Sequence, residues 1–141
     1  SRGTLRLTSS DPDAPLLIDP NYFQDPYDMT AMIEAVRLSR VIAQQPALEE
    51  WNAGEHFPGP ATESDEEIAA YVARYVSTWF HPAGTCRMGS GADAVVDPEL
   101  RVRGVAGLRV ADASIMPDVV SVNTNAASMM IGWKGGGFVT G

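Results

Sequence analysis

A single cysteine, Cys86, stands in the 141 residues, so no disulfide can form within the chain. That suits a reducing compartment, and a cytoplasmic location is the expectation. No charged-then-apolar leader opens the sequence, and no apolar run approaches the roughly 18 residues a membrane helix needs. Bases are scarce at the start: residues 1–70 carry 13 acids against 4 bases, whereas residues 71–141 carry 5 against 6. A chain of net charge −8 with so acidic a first half lacks the basic partners that a phosphate backbone requires, which argues against nucleic-acid binding. There is no basic amphipathic helix to suggest membrane-surface binding. The acids Glu63, Asp65, Glu66 and Glu67 have no His or Cys beside them at ligand spacing, so they read as a solvated first helical turn and not as a metal site. Also missing is a strand followed by G-x-G-x-x-G and a later acid, the device that holds a dinucleotide pyrophosphate on a helix N-terminus. The first residues, Ser1-Arg-Gly-Thr, include no initiator methionine, the start expected of a processed or excised piece.

What is present suffices for one compact domain, since 45% apolar residues argue against disorder. Thr4 to Ser9 alternates polar and apolar residues, predicting a half-buried strand, and Leu16 to Ile18 predicts a second extended segment. Asp28 is the expected N-cap of a helix whose apolar positions Met29, Met32, Ile33, Val36, Val41 and Ile42 repeat at helical spacing up to Pro46. Arg37 and Arg40 lie towards its C-terminal end, where cations suit the helix dipole. The Gly- and Pro-rich stretch 52–62 predicts a loop. Ser64 with Glu67 forms a capping box, opening a helix to about Ser77 with Ile68, Tyr71, Val72, Tyr75 and Val76 on its apolar face. Leu100 to Val102 and Leu108 to Val110 predict short strands. A last helix begins near Thr124 and is expected to fail at Gly135-Gly-Gly137, because glycine is costly inside helices.

The densest chemistry lies in His81-Pro-Ala-Gly-Thr-Cys-Arg-Met-Gly89 and in Ser121-Val-Asn-Thr-Asn-Ala126. Proline after His81 restricts the backbone and aims the ring. Asn123, Thr124 and Asn125 precede an apolar run, as polar caps at a helix N-terminus do. A fixed imidazole beside an amide at a positive helix end can handle a proton and a developing negative charge. Cys86 follows His81 by five residues and invites a Cys–His nucleophile reading, but small, buried, inert cysteines are commoner. His56, in the Gly/Pro loop, reads as solvated, or as a residue bordering a substrate entrance.

The ordered blocks of the chain resemble the C-terminal region of the glucose–methanol–choline (GMC) oxidoreductases, in the choline-dehydrogenase-like branch. They are Arg2-Gly-Thr-Leu-Arg-Leu7, Asp19-Pro-Asn-Tyr22, His81 to Gly89, Val95-Val-Asp-Pro98, Leu100-Arg-Val-Arg-Gly104, Gly107 to Ser114, Met116-Pro117 and Asn123-Thr-Asn-Ala126. The resemblance implies an α+β fold, an antiparallel sheet with flanking helices, in residues 1–107. Residues 108–132 would then supply a strand and helix completing an FAD-binding domain, and 133–141 an atypical Gly-rich tail. It implies oxidation of an alcohol with FAD, with His81 as the active-site histidine and Asn123 as its partner at the substrate oxygen. Asp112 and Ala113 would approach the FAD through their backbone, and the helix end at Thr124 would favour negative charge on the reduced ring.

Imidazole suits removal of a hydroxyl proton as hydride leaves the carbon, and an amide N–H suits the charge left on oxygen. Without the pyrophosphate loop, the isolated chain is expected to hold no FAD tightly, the rest of the cofactor site coming from residues outside it. A partner FAD-domain chain or self-association is therefore expected, with Met129, Met130 and Ile131 left exposed. Asn123 leans the substrate towards choline-like or simple primary alcohols. The competing readings are a non-enzymatic ligand- or partner-binding remnant, and a lyase, since the family fold also hosts cyanohydrin cleavage.

Overall fold

Gly3 can stand where it does only because it has no side chain: a Cβ there would lie 2.2 Å from the Asp19 carbonyl. That close approach lets strand β1 (Thr4–Arg6) pair antiparallel with β2 (Leu17–Asp19), Leu5 opposite Ile18. Asn21 turns the chain away from β2 at φ 55°, a left-handed conformation that asparagine tolerates. Its side chain donates to the Arg2 carbonyl at 2.8 Å, tying the two ends of the hairpin. The computed structural model describes all of residues 1–141, in two compact units, Ser1–Val76 and Ser77–Gly141.

In the first unit the strands are not half-buried as expected. Leu5, Leu17 and Ile18 are exposed. Two three-residue strands without a third element laid over them leave both faces bare. Helix α1 (Pro26–Ala43) starts earlier than predicted. Its N-cap is Asp25, whose carboxylate accepts from the Tyr27 N–H at 2.9 Å, and not Asp28. Proline at the first helical position decides this, because its missing N–H costs nothing there. Asp28 sits inside the first turn, where hydrogen bonds from the Ser1 amino group and hydroxyl hold its carboxyl below the usual range. The helix stops at Ala43, and Pro46 begins a 3-10 turn, Pro46–Trp51.

The capping box forms as read. Ser64 Oγ accepts from the Glu67 N–H at 3.2 Å, and Glu67 accepts back from the Ser64 N–H at 3.0 Å. It opens α2 (Asp65–Tyr75), whose Ile68 and Val72 are buried one turn apart. Tyr75, expected in the core, is exposed and lies beside Tyr71, ring centroids 4.8 Å apart. Arg37 pairs with Asp65 at 2.5 Å, while Arg40 grips Glu55 and the Thr62 carbonyl, fastening the 52–62 loop to α1.

The second unit is built round Val96, Leu100, Ile115, Met116 and Ile131. The predicted strands at Leu100–Val102 and Leu108–Val110 shrink to isolated bridges. The cause is the backbone they need: Leu100, Gly104 and Gly107 all adopt positive φ, which breaks a regular ladder. What survives is Val102 N–H to Leu108 O at 2.9 Å and Val110 N–H to Leu100 O at 3.1 Å.

Helix α3 (Asn125–Thr140) runs straight through Gly135-Gly-Gly137, contrary to the expectation that it would stop there. Packing overrides propensity. Gly135 is buried one turn beyond buried Ile131, and a Cβ on it would meet Ala111 Cβ at 2.9 Å. The absent side chain is what lets the helix lie close to Ala111. Ile131 is accordingly buried, not exposed as expected, while Met129, Met130 and Trp133 are exposed. No helix is long and apolar enough to cross a membrane.

Candidate functional site

A tight turn delivers His81. The Thr78 carbonyl accepts from the His81 N–H at 3.1 Å, and the two residues between, Trp79 and Phe80, have φ of 48° and 64°. Bulky residues pay on the order of 1–3 kcal/mol each for such backbone, so the surroundings must impose it. Thr78 Oγ1 contributes by accepting from the Phe80 N–H at 3.1 Å. Both aromatics point into solvent, Phe80 with 93% of its surface exposed.

Beyond Pro82 the chain is zipped to a second segment. Amides of Gly84, Cys86 and Met88 donate in turn to the carbonyls of Ala113, Ser114 and Ile115, at 3.4, 2.9 and 2.8 Å. Gly84 (φ 85°) lies so close that a Cβ would sit 3.3 Å from the Met116 carbonyl. Residues 113–115 form a 3-10 turn capped by Asp112, whose carboxylate accepts from the Ser114 N–H at 2.7 Å. The zipper thus sets the spacing between His81 and the chain that leads into α3.

At the start of α3 the two predicted partners meet. Asn123 Nδ2 lies 3.1 Å from His81 Nε2, and Thr124 Oγ1 lies 2.9 Å from Nδ1. His81 is half-buried, Asn123 exposed, and Thr124 buried at 8% exposure. The amide nitrogen of asparagine can only donate, so a hydrogen bond here requires the tautomer with the lone pair on Nε2. An unprotonated ring nitrogen facing an amide N–H can take a proton while the amide steadies the oxygen that loses it.

The other candidate residues fall as follows. Asp112 accepts the Ser114 N–H on one carboxylate oxygen, Oδ1, and Ala113 uses its carbonyl to receive Gly84. Both His81 nitrogens are taken by Asn123 and Thr124, so Cys86 forms no pair with the histidine; it is a half-buried free thiol. His56 is exposed, its ring edge-on to Phe57 with centroids 4.3 Å apart. Of the acidic run, Asp65 pairs with Arg37 and Glu67 closes the capping box. A depression in the second unit is lined by Asp97 and residues 101–109 and includes neither His81 nor Asn123.

Sequence reasoning missed the Thr124 hydroxyl as a partner of His81; a short polar side chain next to Asn123 was the available signal. Thr124, expected to cap the helix and to lie at the helix end facing the flavin, makes no cap bond with its side chain. The left-handed turn at Trp79–Phe80 carried no signal at all, since such residues normally avoid it.

The family model described as GMC oxidoreductase matches residues 1–132. Choline oxidase from Arthrobacter globiformis is 50% identical over 136 residues, covering 94% of this chain and 25% of the relative. An oxygen-dependent choline dehydrogenase from Klebsiella pneumoniae subsp. pneumoniae is 46% identical over 134 residues, 95% of this chain and 24% of that one. Among solved structures, pyridoxine 4-oxidase from Mesorbium loti superposes with a TM-score of 0.86 at 38% identity, over 94% of this chain and 26% of that protein. The chain therefore spans about a quarter of the length of the relatives it matches.

Proposed function

The chain belongs to the GMC oxidoreductase family, and on that footing we propose that it supplies the proton-handling part of an FAD-dependent alcohol oxidation. The observation that carries this reading is His81 Nε2 facing the Asn123 amide nitrogen at 3.1 Å. An alcohol hydroxyl seated against the pair loses its proton to Nε2, and Asn123 turns its N–H to the oxygen as negative charge grows there. When bound, FAD supplies the acceptor for the hydride that leaves the alcohol carbon. The substrate is choline-like or a simple primary alcohol, as the names of the similar proteins and the asparagine at position 123 suggest.

The residues present fit one side of a flavin. The α3 N-terminus has no side-chain cap, because the Thr124 hydroxyl is turned to His81, so the first-turn amides and the positive helix end suit an acceptor carrying negative charge. Asp112 and Ala113 would approach the flavin through their backbone. With no G-x-G-x-x-G loop in the sequence, we place the pyrophosphate on a complementary part of a longer or two-chain enzyme. Residues 108–132 would complete that FAD-binding domain. The lone free Cys86 suits a cytoplasmic setting.

The test combines the chain with a complementary FAD-binding chain and follows alcohol-dependent dye reduction. The expected result is activity that falls at least about 100-fold in His81→Ala. Full activity in that variant removes His81 from the chemistry, and alcohol or cyanohydrin turnover without flavin reduction supports the lyase instead.

A further inference from the structure

Resting on the reading of His81 as proton acceptor, we propose that Thr124 is the positioning residue that fixes which nitrogen of that ring carries the proton. A neutral imidazole has one N–H and one lone pair, and the ring makes two hydrogen bonds here. With Asn123 Nδ2 set 3.1 Å from Nε2, the amide donates in the tautomer that holds the lone pair on Nε2 and the hydrogen on Nδ1. The Nδ1–H then donates to Thr124 Oγ1 at 2.9 Å, a bond that only an acceptor at this place can receive. Second partners of this kind set the tautomer and orientation of functional histidines.

The threonine is suited to the task by its own surroundings. It is buried, unlike the neighbouring Asn123 and Asn125. Its carbonyl accepts from both the backbone N–H and the hydroxyl of Ser128, at 2.9 and 2.8 Å, so its backbone is pinned to the first turn of α3. A β-branched side chain on a pinned helical backbone has few rotamers. Its hydroxyl is not spent capping the helix, although its position is the N-cap. That forgone cap bond is the structural sign of the assignment. Asn123 is the exposed member of the pair, free to turn to a substrate, while Thr124 keeps the ring in place as it does so.

The wild-type tautomer is the first test, read from the ring 15N resonances of the full 141-residue chain well above the ordinary imidazole pKa. His56, the other histidine, is assigned with His56→Gln. The expected spectrum shows Nδ1 protonated and Nε2 unprotonated. A protonated Nε2 in the wild type overturns the proposal.

In Thr124→Val, which keeps the shape and removes the acceptor, the ring shifts towards the Nε2–H form, and Thr124→Ser restores the Nδ1–H form. An unchanged ring in the valine variant also overturns the proposal. Should that variant not fold, Asn123→Ala decides: Thr124 still holds Nδ1–H, whereas a switch of tautomer assigns the control to Asn123. In the flavin-loaded assembly, Thr124→Val lowers the rate of alcohol-driven flavin reduction about 10- to 100-fold with the half-saturating alcohol little changed, and serine rescues it. An unchanged rate in that variant tells against Thr124. A failure of His81→Ala to abolish activity would defeat the proton-acceptor reading and leave the tautomer result standing, so the two failures are distinguishable.

Discussion

A methyl group added at Gly135 would lie 2.9 Å from Ala111 Cβ and 3.3 Å from Leu100 Cδ1, whereas one added at Gly136 would meet nothing within 4 Å. Both glycines are helical, so both lose the same backbone entropy on folding. Gly136→Ala should therefore raise stability by about 0.5–1 kcal/mol, and Gly135→Ala should lower it as the helix is pushed off the core. Denaturant titrations of the two variants give the signs, and equal effects would mean that α3 does not pack on Ala111. A glycine run looks the same in sequence whether it ends a helix or lets one approach its neighbour, so the persistence of α3 could not be read. That His81 and Asn123 would meet was legible for the opposite reason. Their chemistry is local to two short motifs, and only the bond between them depends on the fold. Thr124 escaped because a polar residue at a helix start is first taken for a cap.

Among the elements, α2 carries its own start signal. Backbone N–H bonds from Ser64, and then from Glu63, hold the Glu67 carboxyl below its ordinary value of 4.5. A carboxyl whose folded pKa is depressed adds stability above its unfolded value and loses it as pH falls through the folded one. Thermal melts taken from neutral pH down to about 3 should thus decline less steeply in Glu67→Gln than in the wild type, and parallel curves would remove Glu67 from the acid response. Ser64→Ala should cost about 1 kcal/mol at neutral pH, read by denaturant melts. The capping box was legible because it is written entirely in four consecutive residues. The start of α1 was misread by three residues, since two aspartates competed and the proline between them decided. The strands at 100–102 and 108–110 were legible as a pairing but not as regular strands. A leucine in the left-handed region is set by tertiary packing.

For the whole molecule, exposed apolar surface is the dominant feature. Leu17, Ile18, Leu38 and Val41 in the first unit and Trp79, Phe80, Met130 and Trp133 in the second all face solvent. The isolated chain should self-associate with rising concentration in sedimentation, and a complementary FAD-binding chain should suppress this; a monodisperse monomer at high concentration would count against it. Purified alone, the chain should lack flavin absorbance stoichiometric with protein, and finding it would contradict the division of the cofactor site. The α+β class and the family were legible from ordered blocks, but what covers this surface was not, because an amphipathic pattern shows which face is apolar and not what meets it.

Asn123 and Thr124 are neighbours in the chain, yet they hold opposite nitrogens of one ring. Two of the three groups, amide and hydroxyl, therefore share one dipeptide, and the third, the imidazole, reaches them across the 84–88 and 113–115 zipper. The exposed amide can swing away from the ring while the buried hydroxyl still holds the other nitrogen. Opening the site and keeping it aligned are then separate problems, and a dipeptide at a helix end answers the second.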